Sequence, residues 1–392
     1  MQDPVVIVAG VRTPMGGMMG VLSSLTAPEL GAQVIRAAVE RSGLTPEDIE
    51  EVLLGCVLPA GMKQGPARQA MIAAGLPLSC GATTINKLCG SGMKAVMLAQ
   101  DLITAGSHDI LLAGGMESMS NAPHLLTKAR GGYRLGHGAL HDHMFLDGLE
   151  DPATGKLMGV FAQETADQHG LTRDALDAYA MTSLRRALEA IEQGKLKAET
   201  LPVTIKTRKG ETCVDQDEQP FQASLEKIPS LRPAFKADGT LTAANSSSIS
   251  DGASALILTR ESVAKQRNLQ PMARLVAHTT QSQAPADFTL APIGAIEKLL
   301  KKTGWQVDDV DLFEINEAFA TVPVLAMNAL NIPLEKTNIY GGACAQGHPV
   351  GSTGSRLIVT LMHALKQEGG KKGIASLCIG GGEATAVAIE LI

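Results

Sequence analysis

The sequence predicts an α/β protein in which one unit of strands and crossover helices occurs twice. Residues 41–55 (RSGLTPEDIEEVLLG) align with residues 302–316 (KTGWQVDDVDLFEIN), and residues 111–118 (LLAGGMES) align with residues 377–384 (LCIGGGEA). The order of apolar runs and turn glycines agrees in both halves, which indicates an internal duplication. A chain of 392 residues is long for a single core, and a hydrophobic content of 45% with 41 glycines fits this organisation.

The composition excludes several classes of protein. The formal net charge of −6 is modest and spread along the chain, and no basic stripe indicates a nucleic-acid partner. No apolar run is long enough to span a membrane, and the run Val5–Ala9 has no basic residues before it, so we expect no signal peptide. The six cysteines show neither a CxxC pair nor the spacing of a zinc site. A reduced, cytoplasmic compartment fits these features best.

The first half contains apolar runs at strand and helix spacing. Its predicted elements are a buried strand at Val5–Ala9, a helix with the apolar face Leu30–Val39, a strand at Ile49–Leu54, a short buried strand from Thr83 to Leu88, a helix over Ala95–Ile103 and a strand at Ile110–Ala113. Ser91 is a good N-cap for the helix after Thr83–Leu88, and Gly106 ends that helix.

The second half repeats this order. Its predicted elements are a helix at about Ile293–Lys302, a strand at Val310–Ile315, a helix with apolar positions from Leu357 to Leu365, and a strand at Ile374–Ile379. Between the halves, loop-like sequence alternates with two helical runs, Ala162–Gln168 and Arg173–Glu192. Such long insertions are usually functional. We therefore divide the chain into an N-terminal half (1–118), an inserted loop domain (119–248) and a C-terminal half (249–392).

Cys89 lies where a predicted strand ends and a helix begins. At such a point unpaired amide N–H groups and the positive end of the helix dipole favour a thiolate. Gly90 and Gly92 leave the sulfur uncovered, so a substrate could reach it. Cysteine is also a common buried core residue, and the local sequence leaves both interpretations open.

A second glycine-rich stretch, residues 341–354, precedes the last helix and contains His348. The following proline biases this histidine toward extended backbone, a placement that suits proton transfer better than a surface or core role. Cys378 ends a strand just before Gly380–Gly382, whose backbone N–H groups could face an oxyanion, although Cys378 by itself also fits core packing. Asn316 ends a strand in the equivalent place, where a helix cap is the alternative role.

Nucleotide chemistry is a poor interpretation of the other glycine motifs. The stretch 90–94 (GSGMK) lacks the Walker spacing and the Ser or Thr after lysine. Residues 10–14 (GVRTP), after the first strand, do not supply a GxGxxG turn.

Four motifs together resemble the thiolase family, and most closely its acetyl-CoA acetyltransferases. They are NKLCGSG around Cys89, NEAFA at 316–320, GHPVGSTG at 347–354 and CIGGG at 378–382. Further similar stretches are VRTPMG at 11–16, AGGMESMS at 113–120, LRPAF at 231–235 and TAANSSSISDGA at 242–253. The resemblance covers essentially the whole chain, and the four motifs together are very specific.

The resemblance implies a duplicated, five-layered αβαβα fold with an inserted loop domain, and a catalytic set. In it Cys89 is the acyl-accepting nucleophile, and His348 takes the proton of Cys89 and helps hold the thioester oxygen. Cys378 moves the proton on the α-carbon of acetyl-CoA. Asn316 positions a water in one oxyanion hole, and the N–H groups of Cys89 and Gly380 form the other. Such Claisen chemistry needs a thiolate that is also a good leaving group, a separate base and enolate stabilisation.

By the same resemblance, coenzyme A would lie over the inserted domain. The expected coenzyme A and substrate positions are Met158, Lys227, Phe235, Ala243, Ser247, Ile249, Phe288, Ala318 and Phe319. Ser247 would bond the pantetheine amide, with a turn serine as the alternative. Lys227 or another base would replace an arginine that many members have near the adenine.

The chain departs from the family pattern at three further points. Lys156-Leu157 precede Met158 where many biosynthetic members have Tyr-His, Phe288 is bulky beside the expected acyl pocket, and CIGGGEA replaces the commoner CIGGGMG. These departures bear on coenzyme A contacts and on acyl-chain length.

The expected activity is reversible condensation of two acetyl-CoA to acetoacetyl-CoA and CoA through an acetyl-Cys89 intermediate, with no metal and no organic cofactor. A longer-chain 3-ketoacyl-CoA thiolase of fatty-acid breakdown is the alternative enzyme. A non-catalytic acyl-CoA binding module of the same fold is the alternative from another class. Homotetramers, as dimers of dimers, are implied by the resemblance, with the loop His137–Phe145 as a candidate contact.

Overall fold

The computed structural model describes residues 3–207 and 210–392. The strands in chain order are β1 (Val5–Arg12), β2 (Gly16–Gly17), β3 (Glu51–Gly55), β4 (Gly81–Ile85), β5 (Ile110–Ser118), β6 (His124–Leu125), β7 (His141–Asp142), β8 (Val203–Thr207), β9 (Gly210–Val214), β10 (Ser250–Arg260), β11 (Ala273–Ser282), β12 (Leu312–Ile315), β13 (Lys372–Ile379) and β14 (Glu383–Leu391). The α-helices are α1 (Ala27–Ser42), α2 (Pro66–Ala74), α3 (Ser91–Thr104), α4 (Met158–Gln168), α5 (Arg173–Glu192), α6 (Gln219–Gln222), α7 (Glu261–Gln266), α8 (Ala291–Thr303), α9 (Thr321–Leu330), α10 (Ala343–Gln346) and α11 (Val350–Glu368).

Most strands belong to one mixed sheet. Its order is β12-β13-β14-β11-β1-β10-β5-β3-β4, and β2 pairs with β10. The sheet has two halves that meet where β1 pairs with β11, through Val6–Arg274 and Ile7–Ala273. Parallel pairs, β3–β5 in one half and β12–β13 in the other, need crossover connections, and α3 and α11 provide them. These two helices pack between the halves.

Three buried apolar layers separate the helices from the sheet. Along β1, Val5 and Ile7 face the central layer with α3 and α11, whereas Val6 and Val8 face the outer layer with α1 and α2. This alternation follows from the two-residue period of a strand. The third layer lies between the C-terminal half of the sheet and α8. Layers of helices and layers of strands therefore alternate in the order αβαβα, and the predicted five-layered fold is confirmed.

The predicted duplication is confirmed in the local structure. Helix α1 ends at Gly43 (φ 76°) and leads through the short 3-10 turn Pro46–Asp48 into β3. Helix α8 ends at Gly304 (φ 74°) and leads through the 3-10 turn Val307–Asp309 into β12. Glycine suits both C-caps because a left-handed residue ends each helix.

Three local predictions around the site are wrong. The strand expected from Thr83 to Leu88 ends at Ile85 and is only half-buried, because β4 is an edge strand. Ser91 is the first helical residue of α3 rather than its N-cap. Helix α9 begins at Thr321, so Asn316 does not cap it.

The segment between β5 and β10 carries α4, α5, α6 and the hairpins β6–β7 and β8–β9. The two helical runs expected here correspond to α4 and α5, and α4 begins four residues earlier than its apolar pattern. The division of the chain at 118/119 and 248/249 stays a prediction. Across residues 3–207 and 210–392, no helix has the length and apolarity needed to cross a bilayer.

Candidate active site

Cys89 lies in a tight turn directly before α3. Leu88 has a left-handed backbone (φ 48°), which turns the chain out of the direction of β4. The N–H of Lys87 donates to Oγ of Ser91 at 2.8 Å, and the N–H of Gly90 donates to the carbonyl of Lys87 at 3.0 Å. Cys89 is thus held inside a hydrogen-bonded turn with its side chain half-buried.

His348 occupies the matching place before α11. Its N–H lies 3.2 Å from both the carbonyl of Ser248 and Oγ of Ser250, which ties it to the segment entering β10. The imidazole Nδ1 lies 2.6 Å from Oγ1 of Thr353, and this hydroxyl donates to the carbonyl of Pro349 at 3.0 Å. Because the hydroxyl proton is engaged by Pro349, Oγ1 accepts from Nδ1–H, and Nε2 is left with its lone pair.

Close contact between α3 and α11 brings the two turns together. A Cβ on Gly354 would lie 2.4 Å from the backbone nitrogen of Met93, and a Cβ on Gly92 would lie 2.6 Å from Oγ of Ser355. Only glycine permits this approach of the two helices. Since Cys89 and His348 each precede one of these helices, the crossing places both at the same end of the central layer.

Asn316 follows β12 and faces His348. Its Nδ2 lies 3.5 Å from Nε2 of His348, and its N–H donates to the carbonyl of Ser376 at 2.9 Å. The side chain is buried, yet no group in the described part of the chain donates a hydrogen bond to its Oδ1. A buried amide oxygen without a partner suits an ordered water, which fits the predicted role of Asn316 in holding one.

Cys378 and Gly380 come from the hairpin between β13 and β14. Cys378 is buried at the end of β13, close enough to Cys89 for a thiolate there to raise the pKa of Cys378. The backbone N–H of Gly380 is close enough to the sulfur of Cys89 to lower the pKa of that thiol. The structure therefore brings together Cys89, Cys378 and Gly380 from opposite halves of the chain, and His348 and Asn316 lie together beside them.

Burial sets the protonation states of these side chains. It raises the pKa of the Cys89 thiol to about 11, and the N–H groups of Gly380 and Cys89 lower it only in part. Burial also places the pKa of Cys378 well above its usual value and lowers the pKa of His348 to about 3, with the charge of Arg356 adding to the latter. The thiolate expected from the helix start is therefore not favoured in the free protein. At neutral pH the site holds two thiols and a neutral imidazole.

Two buried carboxylates that the sequence analysis did not assign support the site. Glu117 accepts hydrogen bonds from the N–H groups of Val57, Leu58 and Gly351, and so links β5 and the segment after β3 to the start of α11. Burial raises the pKa of Glu117 to about 7 despite these bonds. Glu117 lies in the motif AGGMESMS, and the second carboxylate, Glu317, lies in NEAFA. Nothing in the sequence shows what either carboxylate contacts.

The second of these carboxylates, Glu317, links NEAFA to the inserted segment. It accepts hydrogen bonds from the hydroxyls of Tyr179 at 2.9 Å and Ser183 at 2.7 Å, both on α5, and from the N–H of Cys344 at 3.0 Å. This buried network positions the strand end at Asn316 relative to α5.

Aromatic side chains form one wall of the apolar layer that contains Cys378. Phe319 makes edge-to-face contacts with Phe235 (5.9 Å between centroids) and Phe288 (6.3 Å), and Phe288 is buried. Cys378 belongs to the same apolar layer, and Met158, the first residue of α4, packs there as well. The Met158 sulfur would lie 3.3 Å from a Cβ on Gly380. Four of the predicted coenzyme A and substrate positions thus pack in the same apolar layer as Cys378.

The other predicted binding residues lie on two segments. The N–H of Ser247 donates to the carbonyl of Ala318 at 2.9 Å, and Ile249 forms a β-bridge with His348, so both border the site. Ala243 is exposed on the same segment, four residues before Ser247. Lys227 is exposed on the turn Leu225–Ser230, which packs on α5, and no contact joins it to the catalytic residues in the described part of the chain. The binding roles stay predictions.

No metal site accompanies this arrangement within residues 3–207 and 210–392. No group of three or more His, Cys, Asp or Glu side chains there has the geometry to hold a metal ion.

Comparison with known proteins places the same elements in a known family. The family model "Thiolase, N-terminal domain" matches residues 5–262, and "Thiolase, C-terminal domain" matches residues 269–391. The chain is 46% identical to acetyl-CoA acetyltransferase IA of Candida tropicalis, over 99% of this chain and 98% of that protein. It is also 46% identical to an acetyl-CoA acetyltransferase of Chromobacterium violaceum, over 98% of this chain and 99% of that protein.

Solved structures give the same result for the fold. The acetyl-CoA acetyltransferase of Bacillus anthracis superposes with a TM-score of 0.97 at 40% identity, covering 100% of this chain and 99% of that one. The Acat5 thiolase of Ascaris suum, in complex with coenzyme A, superposes with a TM-score of 0.94 at 40% identity, covering 99% of this chain and 100% of that one.

Proposed function

This chain belongs to the thiolase family, and from that premise we propose that it is an acetyl-CoA C-acetyltransferase. The reaction is the reversible Claisen condensation of two acetyl-CoA to acetoacetyl-CoA and CoA. The observation that carries the proposal is the convergence of two thiols, an imidazole and an amide, supplied by both halves of the duplicated fold, at one end of the central layer. Full-length relatives that bear the name acetyl-CoA acetyltransferase support it.

In the first half-reaction the sulfur of Cys89 attacks the thioester carbon of acetyl-CoA. The thiol proton passes to Nε2 of His348, which is the unprotonated nitrogen of the ring. As the bond between carbon and the CoA sulfur breaks, the CoA thiolate takes a proton from Cys378. The products are acetyl-Cys89, free CoA, an imidazolium at His348 and a thiolate at Cys378, so every proton is accounted for.

In the second half-reaction the Cys378 thiolate removes an α-proton from a second acetyl-CoA. The resulting carbanion attacks the carbonyl carbon of acetyl-Cys89, a carbon–carbon bond forms and the bond to the Cys89 sulfur breaks. The departing Cys89 thiolate takes its proton from His348. All three side chains return to their neutral starting states, which are the states that burial favours in the free protein.

Two groups of donors would stabilise the negative oxygens in these steps. The N–H groups of Gly380 and Cys89 lower the pKa of the Cys89 thiol, and donors placed there would suit the oxygen of the acetyl group bound to this sulfur. A water held by Asn316, together with His348, would receive the enolate oxygen of the second acetyl-CoA. We propose that this chemistry uses only side chains, backbone and the coenzyme A thioesters, without a metal or organic cofactor.

The proposal is tested by thiolysis of acetoacetyl-CoA with free CoA. We expect turnover by the wild type, and a loss of about a thousandfold or more in Cys89→Ser, because the serine hydroxyl is a weak nucleophile without thiolate character. Cys213→Ser is the matched control, since this cysteine is exposed on β9, and it should keep wild-type activity. Thiolysis by Cys89→Ser at the wild-type rate would overturn the assignment of the nucleophile.

The buried aromatic wall favours a short acyl chain. Phe288 and Phe319 pack against each other in the apolar layer that contains Cys378 and would leave little room for a long chain, so we expect acetoacetyl-CoA to be cleaved more efficiently than longer 3-ketoacyl-CoAs. A higher kcat/KM for the longer substrates would identify the longer-chain thiolase, and binding without turnover of any substrate would identify the non-catalytic module.

We also propose that the protein is a homotetramer. The segment that contains the loop His137–Phe145 exposes large apolar side chains, among them Leu135 at 98% and Leu140 at 62% exposure. Surface of this kind usually marks an interface. Light scattering of the wild type against Leu140→Ser would test the assembly, and equal masses that correspond to a monomer would contradict it.

A further inference from the structure

A half-buried ion pair joins the two loops that carry the candidate nucleophile and its hydrogen-bond donor. The ammonium nitrogen of Lys87 lies 2.5 Å from Oε2 of Glu383, and the two side chains are 21% and 32% exposed. The partners are 296 residues apart in the chain, one in each half. We propose that this ion pair positions the N–H of Gly380 against the sulfur of Cys89. The inference rests on the proposed function, for which Cys89 is the nucleophile.

Lys87 is rigidly connected to the nucleophile turn. Its N–H donates to Oγ of Ser91 and its carbonyl accepts from the N–H of Gly90, so both of its peptide groups are bonded within the turn that contains Cys89. Oγ of Ser91 in turn donates to the carbonyl of Leu88 at 2.7 Å. A change in the position of Lys87 is therefore expected to change the position of Cys89.

Glu383 is as firmly connected to the loop with Gly380. It is the first residue of β14 and pairs with Ile379, the last residue of β13, so it closes the hairpin whose loop is Gly380–Gly382. Its Oε1 accepts from Oγ of Ser282 at 3.0 Å, on the neighbouring strand β11. The Glu383 side chain thus has one oxygen fixed to its own sheet and the other on Lys87.

Two other contacts between the loops are apolar and close. A Cβ on Gly90 would lie 2.3 Å from Cδ1 of Ile379, and a Cβ on Gly380 would lie 3.4 Å from Cδ1 of Leu88. Such contacts set how near the loops approach, but they have no directional preference. A hydrogen bond from the N–H of Gly380 to the oxygen or sulfur at Cys89 would depend on angle as well as distance. The ion pair supplies a directional contact between the loops.

The charge state of Glu383 fits this role. Burial would raise the pKa of Glu383, but hydrogen bonds from Lys87 and Ser282 and the charges of Lys87 and Lys94 together lower it. The carboxylate is therefore ionised at neutral pH, and the two ammonium groups that face it come from the nucleophile turn and from α3.

The experiment separates positioning from a direct effect of charge on Cys89. Removing the anion of Glu383 would, by charge alone, lower the pKa of the Cys89 thiol and speed its alkylation by iodoacetamide. Loss of positioning does the opposite, because the N–H of Gly380 no longer supports the thiolate. We therefore expect Glu383→Met to alkylate Cys89 about fivefold more slowly between pH 7 and 9, the size of one surface ion pair. Mass spectrometry on Cys89 gives the rate.

The companion variants complete the test. Lys87→Met should slow alkylation and lower kcat/KM in thiolysis at least as much as Glu383→Met, because loss of the cation adds to the loss of positioning. The double variant should be no slower than Lys87→Met, since both substitutions remove one interaction. The exchanged pair, Lys87→Glu with Glu383→Lys, should recover most of the rate. Lys195→Met, which breaks a similarly exposed ion pair to Glu368 at 2.8 Å, is the control and should leave both rates unchanged.

Two outcomes would overturn the inference. One is alkylation of Cys89 in Glu383→Met at or above the wild-type rate, and the other is an exchanged pair as slow as the single variants although its melting temperature equals that of the wild type. Failure of the proposed function is a separate result, because a wild type without thiolysis activity still yields alkylation rates that decide the role of the pair.

Discussion

At the residue scale, the state of His348 depends on a neighbour five residues later in the chain. Thr353 offers an oxygen whose proton already bonds Pro349, so it keeps the imidazole proton on Nδ1. The lone pair of Nε2 then faces Asn316 and the proposed acyl group. The Thr353 side chain therefore determines which nitrogen is available to act as the base in the proposed reaction.

We expect Thr353→Val to lower kcat/KM in thiolysis by about tenfold to a hundredfold, the scale of lost general-base catalysis. Valine preserves the shape of threonine but offers no acceptor, so the imidazole can place its proton on Nε2, where it cannot accept one from Cys89. The measurement is kcat and KM as a function of pH, and the fall should appear in kcat.

Thr353→Ser is the matched control for this prediction, because it keeps the hydroxyl and should keep most of the activity. A Thr353→Val enzyme with a wild-type pH profile, or a serine variant as impaired as the valine variant, would show that Thr353 acts only through packing.

Cys378 can be separated from Cys89 by half-reactions. In Cys378→Ala we expect acetyl-CoA to acetylate Cys89 slowly, because the departing CoA thiolate has lost its proton donor, and we expect no measurable thiolysis of acetoacetyl-CoA. Mass spectrometry should find one acetyl group, on Cys89. Turnover near the wild-type rate would exclude Cys378 as the α-carbon base.

At the element scale, the site depends on how closely α3 and α11 cross. Gly354 faces the backbone of Met93 at the crossing, so we expect Gly354→Ala to force the helices apart and to lower the free energy of unfolding by about 1–3 kcal/mol, the cost of overpacking. Thiolysis should fall as well, since the helix starts carry Cys89 and His348. Urea unfolding and steady-state kinetics provide the two measurements.

Gly131→Ala is a suitable control for that substitution. A Cβ on Gly131 would have no heavy atom within 4 Å, and its backbone is not left-handed, so stability and activity should stay at wild-type values. If Gly354→Ala were as stable and active as this control, the close crossing would not be required.

At the scale of the whole molecule, the buried neutral histidine makes stability depend on pH. The pKa of His348 is about 3 in the folded protein and 6.5 in the unfolded chain, so its contribution to stability is complete above pH 6.5 and is lost as the pH falls toward 3. The buried carboxyls Glu117 and Glu314, with pKa values raised by burial to about 7 and about 8, act in the opposite direction as the pH rises above 4.5.

A comparison of the wild type with His348→Asn isolates the histidine, because both proteins keep the same carboxyls. We expect the stability of the wild type relative to the variant to fall by about 1 kcal/mol per pH unit below pH 6.5. Urea unfolding at pH 7, 6 and 5 measures this difference. A difference that does not change with pH would show that His348 takes up a proton in the folded protein.

Local patterns in the chain predicted most of this molecule. Strands β1, β12 and β13 and helices α1, α5, α8 and α11 follow from apolar periodicity, which depends only on neighbouring residues. The duplication follows from repeated turn glycines, and the four motifs place the family. The errors lie at Leu88 and Ser91, in a turn whose hydrogen-bond geometry the apolar pattern does not reveal, and at Asn316, whose N–H bonds the distant Ser376. Strands β10, β11 and β14 are also missing from the predicted elements.

The sequence alone predicted many of the elements and their order, because these depend on residue type and short-range spacing, and its resemblance to the thiolase family supplied the candidate reactive side chains. Only the tertiary structure decided the proton position on His348, the neutral state of Cys89 and the link between Lys87 and Glu383. The neutral state of Cys89 depends on burial, and the ion pair joins side chains 296 residues apart in the chain. The proton position on His348 depends on the geometry of a nearby side chain, Thr353, which residue spacing does not show. Desolvation and hydrogen-bond geometry act over a few ångströms in space, and distance along the chain does not reveal them.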